Sequence, residues 1–142
     1  MRRLLVLAAV CAAVTAPAAS AAPPGPCALV TADDAGKALG VKVAAGKAAS
    51  QGLYKACTYT KGRKTLTVLV RQIDKATFEK SAKKNPPPVF PIPGIGDEAY
   101  SAAGGYALLV WKKGTELTLT FIGVSPVVQT QKDVANAALK RL

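Results

Sequence analysis

The chain has no histidine at all, and its 142 residues hold eight acidic side chains against nineteen lysines and arginines. The missing histidine removes the usual general base near neutral pH and the commonest zinc ligand. Tryptophan occurs once and cysteine three times, at positions 11, 27 and 57, with no C-x-x-C spacing among them. That pattern excludes a zinc ribbon and a thioredoxin-type redox pair. No G-x-S-x-G motif is present to activate a serine. Apolar runs long enough to span a bilayer are missing too, since the longest, Leu4 to Val14, is too short. No cofactor is implied.

That short run has another reading. Met1-Arg2-Arg3, the apolar stretch and the small residues Ala19-Ser20-Ala21 form a secretory signal peptide over 1–21. Residues 22–142 then make a single secreted α+β domain. A lipoprotein reading would need Cys11 as the lipidated residue, but Val10 stands where a small residue is expected. Export leaves Cys27 and Cys57 as an even pair in an oxidising compartment, which points to a disulfide. The formal charge of +11 falls by two when Arg2 and Arg3 leave with the leader. So basic a surface attracts polyanions, anionic envelope polymers among them.

The mature part is organised around Pro91 to Val124. Tyr106, Leu108 and Val110 share one face of a first alternating run, and Leu117, Leu119 and Phe121 one face of a second. A period of two broken at Lys112-Lys113-Gly114 is the pattern of half-buried antiparallel strands. Upstream, Tyr54–Thr60 and Thr65–Gln72 make a hairpin around Lys61-Gly62-Arg63-Lys64. Thr31 with Asp34 reads as an acidic capping box, and Gly40 as the end of that helix. Asp74 caps a second helix from Lys75 to about Lys84, with Phe78 and Ala82 inward and Asn85-Pro86-Pro87-Pro88 as its stop. A last helix begins at Ser125-Pro126 or at Thr130. Val41 to Gly52 reads as a loop or weak strand. The expected fold is an antiparallel sheet of about five strands in the order α-β-β-α-β-β-β-α, with helices mainly on one face.

Several site candidates dissolve on inspection. Gly94-Ile-Gly96-Asp-Glu-Ala99 matches the dinucleotide fingerprint G-x-G-x-x-A, but prolines precede it and no helix can follow, so it is a tight bend. Asp97 and Glu98 are adjacent and would point to opposite faces of a strand, unlike the converging carboxylates of a glycosidase. Two candidates survive. Lys61, Arg63 and Lys64 occupy one hairpin tip and Lys112 and Lys113 another; if both tips face one end of the sheet they form a positive rim for an anionic polymer. Nucleic-acid binding would want aromatics interleaved with these charges, and Tyr59 alone is near. The second candidate is the other face of the sheet, where Leu69, Leu109, Trp111 and Ile122 join threonines in a surface suited to a small ligand or protein partner. It serves so only if the 41–52 or 85–93 segments do not fold over it.

The paired cysteines, the Cys57-Thr-Tyr59 strand start and Pro93-Gly-Ile-Gly-Asp-Glu-Ala-Tyr100 resemble the small exported proteins and lipoproteins of actinobacterial cell envelopes. The resemblance implies a secreted or cell-envelope location and no catalytic residue. Two functions are therefore expected. One is a non-enzymatic binding or interaction module; the other is a secreted hydrolase of unidentified chemistry.

Overall fold

The structure, a computed structural model, describes residues 24–84, 89–125 and 128–142. The signal-peptide reading, the proline stop at 85–88 and the role of Pro126 all fall outside them. The chain is α+β. Two short helices, α1 (Pro26–Leu29) and α2 (Ala32–Leu39), lead into strands β1 (Lys47–Gln51), β2 (Tyr54–Lys61) and β3 (Lys64–Gln72). Helix α3 (Lys75–Lys83) follows, then β4 (Phe90–Pro91), β5 (Glu98–Ala102), a single 3-10 turn at Ala103–Gly105, β6 (Ala107–Lys112), β7 (Thr115–Ile122) and α4 (Val128–Leu139). The strands form one seven-stranded sheet in the order β1-β2-β3-β7-β6-β5-β4, antiparallel throughout.

Two strands exceed the expected five. Lys47–Gln51 lies along the outer edge of β2, every residue exposed. Its alanines carry no strand pattern, so pairing with β2 makes it a strand where its composition does not. The two-residue β4 contains Pro91 and closes the opposite edge, where a missing N–H costs least. The first face of the sheet carries Leu66, Val68, Val70, Leu108, Val110, Leu117, Leu119 and Phe121, all at most 5% exposed. Helices α1, α2 and α4 cover it with Leu29, Leu39, Val134, Ala135 and Ala138. Each fully buried leucine or phenylalanine here contributes about 2 kcal/mol of transfer free energy.

The local signals behave as the residues dictate. Asp34 N donates to Thr31 Oγ1 (3.2 Å) while Asp34 Oδ2 accepts from Thr31 N (3.0 Å), closing the capping box. Gly40 ends the helix in the left-handed region at φ +64°. The Cys27–Cys57 disulfide is present, with Cα atoms 5.2 Å apart across a sequence separation of 30. A loop of that length corresponds to about 3.6 kcal/mol in the chain-entropy model. Beside it the Tyr59 hydroxyl donates to Val30 O, so bond and tyrosine together tie α1 to β2. Gly46 makes this junction possible: a Cβ there would stand 2.3 Å from Cys57 Sγ and 2.6 Å from the Tyr59 ring.

Gly96 has a similar reason. At φ +59° its missing Cβ would lie 2.7 Å from Trp111 O, so the bend before β5 can press against β6. Asp97 there accepts from Lys113 N (2.9 Å), an amide of the β6–β7 turn and not of its own bend. At the chain's end Arg141 Nη1 reaches both Leu29 O and Asp34 Oδ2, each at 2.6 Å. Burial alone would raise the Asp34 carboxyl, but bonds from Thr31 and the Arg141 guanidinium hold it below its ordinary value.

Candidate ligand cleft on the second face

On the second face, β6 and β5 lie under α3, while β2, β3 and β7 lie beside it. Asp74 caps α3, its carboxylate accepting from Thr77 N at 2.9 Å. The helix seats Phe78 and Ala82, both fully buried, on Ala102, Ala107 and Leu109, with Tyr100 and Trp111 packed around them. Two polar contacts fix its start: Trp111 Nε1 donates to Ile73 O at 2.9 Å, and Lys75 Nζ lies 3.3 Å from Glu98 Oε2. The Tyr100 hydroxyl donates to the other Glu98 oxygen. That hydrogen bond, with burial, pushes the Tyr100 phenol up to about 12.

The sequence-expected partner face is thereby divided. Leu109, 5% exposed, and the half-buried Trp111 belong to this second core, because α3 folds over them and Val89, from the 85–93 segment, packs against the same cluster. Segment 47–51 sits in the plane of the sheet as β1. Leu69 remains half-buried in the uncovered part, and Ile122 is 57% exposed.

Where α3 stops covering the sheet, a cleft of about 450 Å³ opens. Its floor is Leu69, Leu109, Thr118, Thr120, Ala102 and Ala107; Ser81 of α3 and Lys84 at its C-cap form one wall and Tyr54 closes the end. At its base lie Arg71 and Glu116, paired by the β3–β7 register. Arg71 Nε is 2.6 Å from Glu116 Oε2, with the side chains only 14% and 3% exposed. Thr118 Oγ1 donates to Glu116 Oε1 (3.2 Å), Arg71 Nη2 donates to Ser81 Oγ (3.3 Å), and the guanidinium carbon stands 4.5 Å from the Tyr54 ring centroid. Burial, then the Glu116 carboxylate, pushes the Tyr54 phenol up, keeping it a neutral hydroxyl. On the rim Ala103 has φ +52°, a left-handed conformation that costs a non-glycine residue about 1 kcal/mol.

Chemically the cleft is apolar-floored with one internally neutralised ion pair. Glu116 is the one carboxylate among the described residues that line it, so they supply no second carboxylate to pair with it as acid and base. Sequence reasoning placed Arg71 on this face but did not single out Glu116. The signal available was that Glu116 is the lone charge among apolar and threonine residues in its strand, and that Arg71 is the one charge of β3 besides Lys64 at its start.

The basic residues do not form one rim. Strands β3 and β7 are antiparallel neighbours, so the turn before β3 and the turn before β7 must lie at opposite ends. Ile73 N donates to Gly114 O (2.8 Å) at one end. At the other, Gly123 is packed against Arg63 O. The paired length of β3 sets Lys61, Arg63 and Lys64 apart from Lys112 and Lys113 by roughly 25 Å. Lys64 Nζ donates to Leu39 O at 3.0 Å, and Lys112 Nζ to Leu139 O at 3.1 Å. Those two lysines satisfy the carbonyl ends of α2 and α4, as cations at helix C-termini do. Lys61, Arg63 and Lys113 are exposed.

No protein-family model matches this chain, and neither does a curated protein or a solved structure. Among the described residues, no helix is long and apolar enough to cross a membrane.

Proposed function

We propose that the chain is a secreted or envelope-associated, non-enzymatic binding module whose ligand occupies the cleft beside α3. The observation that carries this reading is the cleft itself: a few hundred cubic ångströms of mostly apolar lining with a small set of fixed polar groups, the composition of small-molecule sites. The export half of the proposal rests on the Cys27–Cys57 bond, which an oxidising compartment permits, and on the leader-like start of the sequence. A hydrolase finds less support, because Glu116 is held by Arg71 and Thr118 with both oxygens engaged.

Methyl-detected NMR of the disulfide-intact protein against a panel of small molecules tests the reading. Binders should shift Leu69, Leu109, Thr118 and Thr120, and Thr120→Phe, which places a ring in the cleft, should abolish those shifts. Saturable binding that leaves these methyls unmoved, or turnover of a panel member, would overturn the proposal.

A further inference from the structure

The lining narrows the ligand class. Leu69, Leu109, Ala102 and Ala107 present an apolar floor, with Thr118 and Thr120 among them. Beneath it the buried polar groups bond to one another: Glu116 Oε2 with Arg71, Glu116 Oε1 with Thr118, Arg71 Nη2 with Ser81. Among the described residues, no buried side-chain nitrogen or oxygen of the cleft is left without a partner. A sugar or a polar peptide would thus meet few unmet donors and acceptors, and its own polar groups would lose water without compensation.

Charge is supplied at one place only. Lys84 lines the cleft at the end of α3 and makes no ion pair among the described residues, whereas Arg71 is neutralised by Glu116. Lys80 and Lys83 stand exposed on the same helix end and add to the positive potential there. The room is about that of fifteen waters at ~30 Å³ each, and a methylene needs a similar volume, so a chain on the order of ten carbons fits.

We infer that the cleft takes one hydrocarbon chain of an anionic amphiphile, laid on the Leu69–Leu109–Ala107 floor with the acidic head at Lys84. This rests on the cleft being the binding site and names what it binds. The chain could be a free fatty acid or the acyl chain of an acidic membrane lipid; the chemistry at the cleft is shared.

The test titrates the purified, disulfide-intact protein at low salt with monomeric decanoate, with decanol and with phosphatidylglycerol vesicles. Floor methyl shifts and Trp111 fluorescence report occupancy. Decanoate should shift the floor methyls and bind about tenfold more tightly than decanol. Lys84→Glu, at an exposed position, should weaken decanoate about tenfold and leave decanol unchanged. Thr120→Phe should block both. Shifts with vesicles but not with monomeric decanoate would support the inference and assign the source to membrane lipid. Equal affinity for the two monomers, or decanoate binding indifferent to Lys84→Glu, would overturn it. If other small molecules move the floor methyls while neither chain does, this inference falls and the cleft stands as the site. If nothing moves them, the binding reading falls with it.

Discussion

Arg71 and Glu116 can be separated energetically from the rest of the sheet. The pair sits at 2.6 Å with 14% and 3% side-chain exposure, and Thr118 holds the remaining Glu116 oxygen. Arg71→Met keeps the stem that packs near Tyr54 but leaves a buried carboxylate with a single hydroxyl for company. Stranding a charge in this way costs about 3 kcal/mol. Glu116→Leu strands Arg71 less severely, because the guanidinium keeps Ser81 and can draw water from the open cleft; about 2 kcal/mol is expected. The double variant removes both charges and leaves hydrophobic residues of comparable volume, so its cost should be about 2 kcal/mol and not the sum. The coupling is then on the order of 3 kcal/mol. Urea unfolding followed by far-UV circular dichroism, disulfide intact, reads all three; at a slope of ~1.5 kcal/mol/M the Arg71→Met midpoint should fall by about 2 M. Single losses that add to within 0.5 kcal/mol in the double variant would refute the reasoning, since the two groups would then not be paying each other's desolvation.

Two further outcomes follow from the packing and the caps. Gly46→Ala drives a methyl into Cys57 Sγ and the Tyr59 ring, both locked in place, so thermal melts should show a loss of about 2 kcal/mol; a neutral result would mean that the β1 approach relaxes freely. Asp34 has its folded-state pKa below the ordinary 3.8, so its contribution is present above that value and is lost as pH falls through the depressed one. Asp34→Asn should therefore be the less stable protein at pH 7, with the gap closing across the acid range below the ordinary 3.8. A gap constant across that range in urea melts would remove the charge from the explanation.

Much of the architecture is legible in short-range signals. Thr31-x-x-Asp34, Asp74 before α3, and the alternation of Leu117, Leu119 and Phe121 each express a preference that the fold keeps. What escapes is long-range. β3 pairs with β7 across an intervening helix and three strands, so nothing local to Arg71 announces Glu116, and nothing local to either lysine tip fixes which end of the sheet it meets. The strand Lys47–Gln51 escapes for a different reason: all its residues are exposed, so no face imposes a period of two. The cleft is legible only once α3 is seen to end short of β3, a matter of tertiary placement.

The placement of β3 also bears on when this chain can become a protein. Its central pairing joins Arg71 to Glu116, and its terminal clamp joins Leu29 to Arg141 across 112 residues. The first waits for Glu116 and the second for Arg141, and contacts of such sequence separation form slowly. For the exported chain proposed above, that ordering is useful. In such a chain the β3–β7 pairing, and with it the cleft floor, would form only after both strands had crossed the membrane.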